Sequence, residues 1–101
     1  MVDCKYVTRD MLSHPVTLRI NDSPLDFFRA KTVADHKAKE LSADPMLLAW
    51  FDRQSGTFAP DVICCDREKP SWLVYAESRG ADIAVDVNNL DYIFLYKDAS
   101  Q

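Results

Sequence analysis

Residues 70–97 read PSWLVYAESRGADIAVDVNNLDYIFLYK, and how this stretch folds decides how the rest of the chain can pack. Its second half divides at Asn88-Asn89 into two runs with the composition of strands, ADIAVDV and LDYIFLYK. Asparagine tolerates the positive φ that a two-residue loop demands, so the spacing predicts a β-hairpin turning on Asn88 and Asn89. That register sets Val87 opposite Leu90, Val85 opposite Tyr92 and Ile83 opposite Phe94. All six side chains then share one face, because strand side chains alternate with period two. A slip of one residue would turn the whole apolar set toward water, so the facing is strongly specified. In the first half, Trp72, Tyr75, Ala76 and Arg79 recur at helical spacing, and Gly80 suits the position after a last turn. Pro70 to Arg79 is therefore expected as a helix, although tryptophan, valine and tyrosine also suit a strand.

Working back from this stretch, Met46 to Asp52 (MLLAWFD) is apolar on both sides. Leu47, Ala49 and Phe51 point one way, and Met46, Leu48 and Trp50 the other. A strand of that kind is either covered on both faces or part of a subunit interface. Gln54-Ser55-Gly56 makes a turn, and Thr57 to Ala59 returns as a strand. Pro60 cannot donate to a ladder, which marks this strand as an edge or a bulge. Val62 to Cys65 could continue it.

Further upstream, Phe27, Ala30, Ala34, Ala38 and Leu41 form one apolar stripe at helical spacing. Its alanine centre lets the helix lie close to a sheet. Ser23 is a natural N-cap, Pro24 suits the first helical position, and Asp26 sets an anion at the positive end of the dipole. The helix should stop near Ser42, because Pro45 pushes Asp44 out of the α region. Val16, Leu18 and Ile20 alternate with polar residues as a half-buried strand, and Val2, Cys4, Tyr6 and Thr8 suggest a short edge strand before it.

The resulting order is β-α-β-β-α-β-β in a single α+β domain spanning residues 1–101. The expected architecture is a two-layer sandwich, an antiparallel or mixed sheet with both helices on one face. It is either ferredoxin-like with one added strand or a helix-then-hairpin unit used twice.

Composition narrows the function classes. The chain has 101 residues, 48% of them hydrophobic, enough for one core without staples. Sixteen acidic against twelve basic side chains leave a net charge of −4, which argues against general binding to nucleic acid. No apolar run is long enough to span a bilayer, and the start, MVDCKYVTRD, lacks an apolar leader core. Three cysteines, two of them adjacent, make no disulfide framework, so a reduced, cytoplasmic protein is expected. Only Gly56 and Gly80 occur, too few for a phosphate-binding or dinucleotide-binding glycine loop, and no cofactor is expected.

Candidate chemistry is sparse. Cys64-Cys65 could supply a reactive thiolate, because Arg67, Lys69 and the start of the helix at Pro70 would lower its pKa; otherwise one cysteine packs inward. Glu77 and Arg79, beside Trp72 and Tyr75, could line a small-ligand site near the cysteines. The ordinary alternative has Arg79 at the helix C-terminus and Glu77 in water. Asp82, Asp86 and Asp91 form an acidic group on the last hairpin, with Asp86 across from Asp91, an arrangement that could hold a hard cation. Cys4, Cys64, Cys65, His14 and His36 lack the paired spacing of a zinc site. His36 falls on the polar side of the first helix.

Two functions follow. The leading expectation is a non-catalytic module that associates with itself as a homodimer, because Met46 to Asp52, Trp50, Trp72 and the last tyrosines are more apolar surface than so few elements can cover. The alternative is a small-molecule binder or enzyme with its site near Cys64, Cys65, Glu77 and Arg79.

Overall fold

A computed structural model of the chain describes residues 7–12, 15–21, 25–60 and 69–99. Its elements run in the order β1 (Pro15–Leu18), α1 (Phe27–Leu41), β2 (Pro45–Asp52), β3 (Thr57–Ala59), α2 (Ser71–Ser78), β4 (Ile83–Val87) and β5 (Tyr92–Asp98). A 3₁₀ turn at Arg9–Met11 precedes them. The five strands form one sheet in the order β1-β4-β5-β2-β3. β1 runs parallel to β4, and every other neighbouring pair is antiparallel.

The hairpin of β4 and β5 forms, but it turns over residues 88–91 rather than over two asparagines. Val87 pairs with Tyr92, Val85 with Phe94 and Ile83 with Tyr96. The register thus differs by two residues from the expected one. A shift of two preserves the facing, so Ile83, Val85, Val87, Tyr92 and Phe94 still share one buried side. The wider turn has a physical cause. Asn88, Asn89 and Leu90 all take positive φ, at 53°, 58° and 73°. Leu90 is buried, and its backbone N–H donates to the Asp86 carboxylate at the base of the turn. Asn88 also clasps the end of β1: its side chain accepts from the Ile20 N–H at 2.8 Å and donates to the Ile20 carbonyl at 3.1 Å.

α1 begins later than its sequence signals suggest. Asp26, rather than Ser23, is the N-cap, and its carboxylate accepts the Arg29 N–H at 2.8 Å. Residues 22–24 lie outside the described residues, as do the proposed strand positions Val2, Cys4 and Tyr6 and the Val62 to Cys65 extension. The helix ends at Ser42 as expected, and the Ser42 hydroxyl donates to Asp98 at 2.7 Å. The expected second helix forms over Ser71–Ser78, with Pro70 as N-cap, Arg79 as C-cap and Gly80 at φ 91° after it.

The expectation that both helices share one face is overturned. α1 lays Ala30, Ala34 and Ala38 on Ile83, Val85, Val87, Tyr92, Phe94 and Tyr96. α2 lays Trp72, Leu73 and Ala76 on the opposite side, against Ala49, Phe51, Ala84, Ile93 and Leu95. Trp72 stacks on Phe51 with centroids 5.2 Å apart. The domain is therefore an α+β fold of three layers, one mixed sheet between two helices, and not the two-layer ferredoxin-like arrangement. The reason is that β5 is apolar at both parities and β4 is buried at both, with Ala84 and the Arg9-paired Asp86 on the α2 side, so each face needs its own cover. The order of helix, hairpin, helix, hairpin is present, but the two helices lie on opposite faces.

β2 is two-faced as read, with one correction. A bulge between Leu47 and Ala49 moves Leu47 to the α1 side with Trp50, and leaves Leu48, Ala49 and Phe51 on the α2 side. Both of its faces are covered within one chain. Among the described residues no helix is long and apolar enough to cross a membrane.

Candidate functional site

Among the described residues, those singled out in the sequence do not converge. Cys64 and Cys65 lie outside the described residues. Glu77 is held by Lys69, whose ammonium donates at 2.9 and 3.2 Å, and the Arg79 guanidinium lies 5.0 Å from the centre of the Tyr75 ring. The crevice beside Glu77, lined by Leu73, Ala81 and Asp82 among others, holds about 20 Å³, room for about one water. His36 is exposed, and His14 is outside the described residues.

The acidic trio also separates. Asp86 faces Ile93 across the hairpin, not Asp91, because of the wider turn. Its carboxylate is fully buried on the α2 face and pairs with Arg9 at 2.9 Å, while Arg9 also donates to Thr17. Asp91 pairs with Arg53 at 2.9 Å, and Asp82 accepts the Asp98 N–H at 3.0 Å. Among the described residues no group of three or more histidine, cysteine, aspartate or glutamate side chains is placed to hold a metal.

What does converge lies on the other side of the sheet. α1 crosses β4, β5 and β2, and a groove of about 210 Å³ runs along its β2 flank. Lys31, Asp35 and Lys39 line one wall, Pro45 and Leu47 the other, and Tyr96 rises from β5. The three helix residues reach the same groove because they are spaced by four, which stacks them on one flank of a helix. The alanines at 30, 34 and 38 bring the helix close enough for Tyr96 to reach it: its hydroxyl donates to Asp35 Oδ1 at 2.6 Å. Lys31 Nζ donates to the other oxygen, Oδ2, at 2.7 Å. Burial first, then the hydrogen bond to Asp35 and its negative charge, hold the Tyr96 phenol well above its ordinary value of 10.0. The phenol therefore stays protonated and keeps donating. Lys39, exposed in the last turn, has no carboxylate partner among the described residues.

The groove thus has a polar chain with its charges closed, Lys31–Asp35–Tyr96, and one uncompensated cation one turn further on. Leu47 and Pro45 give it an apolar wall. The sequence reading singles out none of Lys31, Asp35, Lys39 and Tyr96 for a ligand site, and counts the tyrosines of the last strand as apolar surface. The repeated spacing of four was the available signal; the approach of Tyr96 was not visible without the strand order.

On the opposite flank of α1, Val16, Leu41, Ile83 and Ala84 line a second groove of about 290 Å³ with Asp82 and Asp98. Its carboxylates are engaged: Asp82 accepts the Asp98 N–H, and Asp98 accepts the Ser42 hydroxyl.

These features define a class: a small α+β domain with one mixed five-stranded sheet and a helix on each face. Residues 13–96 match the family described as Domain of unknown function (DUF5619), and the chain belongs to that family. An uncharacterised protein of Archaeoglobus fulgidus is 41% identical over 64 residues, 60% of this chain and 68% of that protein. The crystal structure of the A. fulgidus protein AF1514, described as novel, superposes with a TM-score of 0.74 at 29% identity. That likeness covers 89% of this chain and 99% of the other. The family match includes all the polar residues of the first groove and leaves Arg9 outside it.

Proposed function

We propose that the domain is a small-molecule-binding module whose site is the groove between α1 and the β2–β5 ladder. The observation that carries this reading is the uncommitted Lys39 beside the fixed chain Lys31–Asp35–Tyr96, on a groove with an apolar wall. A few convergent polar groups against apolar lining is the general form of a ligand site. At about 210 Å³ the groove suits a small metabolite and is below the size of sites for drug-sized ligands. Binding rather than catalysis fits the chemistry, since the carboxylate is tied to its lysine and the phenol is held protonated. A reduced cytosol is the setting this reading assumes. A thermal-shift screen of small polar metabolites tests it, because a ligand that binds only the native state raises its stability. Hits should move backbone amide resonances of Lys31, Asp35, Lys39 and Tyr96. A broad screen that leaves those resonances unmoved refutes the reading.

Self-association is the second reading, and Phe28 supports it: this ring is 78% exposed at the start of α1, where a second copy could cover it. The other exposed large apolar side chains, Leu41 and Met46, are not beside it, since Leu41 lies at the far end of α1, about 20 Å along the axis. A concentration-dependent mass in light scattering that Phe28→Ser abolishes would support it; a monomer at high concentration would end it.

A further inference from the structure

Resting on the groove as a binding site, we infer that its ligand is a small monocarboxylate carrying an uncharged hydroxyl at its other end. The charge of the groove sets the first part. Lys31 and Asp35 cancel at 2.7 Å, and Tyr96 is neutral, so among the described residues that line the groove Lys39 alone contributes net charge, and that charge is +1. A single carboxylate balances it. A dianion would bring a second charge that the groove does not match, and a neutral ligand would forgo the ion pair.

The donors and acceptors set the second part. The Lys31 ammonium spends one of its three N–H donors on Asp35. Asp35 keeps lone pairs beyond those used by Lys31 and Tyr96, and the Tyr96 oxygen, having donated its proton, can still accept. That end of the groove therefore both donates and accepts without carrying net charge. A hydroxyl is the smallest group that does both. Lys39 and Asp35 are one helical turn apart, about 6 Å between their β-carbons, which a four-carbon chain spans. Leu47 and Pro45 line the stretch along which its methylenes would lie.

The test uses 4-hydroxybutyrate as the probe, with 4-hydroxybutyramide and succinate as its neutral and dianionic counterparts. Binding is followed by amide chemical shifts of the groove residues and by calorimetry. 4-Hydroxybutyrate should bind about threefold tighter than either counterpart, the discrimination expected of one exposed ion pair. Lys39→Ala should remove that preference, and Lys37→Ala, on the opposite flank of α1, should leave it intact. Lys39 and Lys37 are both partly or fully exposed, so both variants should fold. Equal binding of the amide or of succinate, or an unchanged preference in Lys39→Ala, overturns the ligand class while leaving the groove as a site. Failure of all three probes, with other metabolites moving the same resonances, also overturns the class alone. Only when no screened compound moves those resonances does the binding-site reading fall with it.

Discussion

Replacing Arg9 with alanine tests whether the segment before β1 is part of the core or merely rests on it. Asp86 is 0% exposed, yet it is ionisable, and its two partners are the Leu90 N–H and the Arg9 guanidinium at 2.9 Å. Stripping one partner from a fully buried pair costs about 3–5 kcal/mol, because the remaining charge is stranded. An exposed pair is worth only about 0–1 kcal/mol. Arg9 is 49% exposed, so water can move in behind it, and an intermediate loss of about 2 kcal/mol is expected. For a domain of this size that lowers Tm by on the order of 10 °C. Urea and thermal unfolding followed by circular dichroism measure it. The diagnostic is the second variant. Asp86→Asn removes the buried charge but keeps an oxygen for the Leu90 N–H, so in the Arg9→Ala background it should recover most of the loss. If Arg9→Ala costs under about 0.5 kcal/mol, or if Asp86→Asn fails to recover stability there, the stranded-charge reasoning is wrong.

Ala34→Leu pushes a larger side chain between α1 and the sheet, where Ala34 has no exposed surface, and should destabilise by about 1–3 kcal/mol in urea unfolding. Trp72→Ala removes a ring stacked on Phe51 and should cost about 3–5 kcal/mol by the same measurement. Stability should also fall above pH 10. Tyr96 is held high by burial and then by Asp35, and Tyr92 by burial and then by Asp52, Asp26 and Asp91. Phenols of the unfolded chain ionise near 10, so above that pH the folded chain binds more protons than the unfolded one. Their contribution is whole below pH 10 and is lost as the pH climbs toward the folded values, by up to about 1.4 kcal/mol per unit for Tyr96 and by less for Tyr92, whose hydroxyl is more open to water. Tyr96→Phe should lower stability at neutral pH by about 1 kcal/mol and flatten that alkaline slope; a slope left unchanged by the substitution refutes the assignment.

How far the chain could be read in advance divides along physical lines. Element order was legible because periodicity and caps are local: the alanine stripe of α1, the Ser42 end and the Gly80 end all act within a turn or two. The hairpin's facing was legible for the same reason. Its register was not, because it depends on Leu90 accepting a left-handed backbone, which an aspartate four residues earlier and a buried position for the leucine make tolerable. Neither is visible from turn propensities. The groove was least legible of all. Lys31, Asp35 and Lys39 advertise a shared flank by their spacing, but Tyr96 joins them only because β5 lies under α1 between β4 and β2.

The misplacement of α2 has the same root and changes the functional argument. The sequence shows Met46 to Asp52 as apolar on both sides, which reads as surplus for a partner to cover. β5 (YIFLY) is likewise apolar at both parities, and every residue of β4 (IAVDV) is buried, Asp86 through its pair with Arg9, so these three adjacent strands cannot all be covered from one side. With two helices available, the arrangement that buries both faces puts one on each. Trp72 then fills the α2 face against Phe51, and Trp50 meets Phe27 at 4.5 Å on the α1 face. Much of the aromatic surface is thereby packed inside one chain, Phe28 excepted, and on the α1 flank a lysine with no carboxylate partner among the described residues lies beside the hydrogen bond from Tyr96 to Asp35.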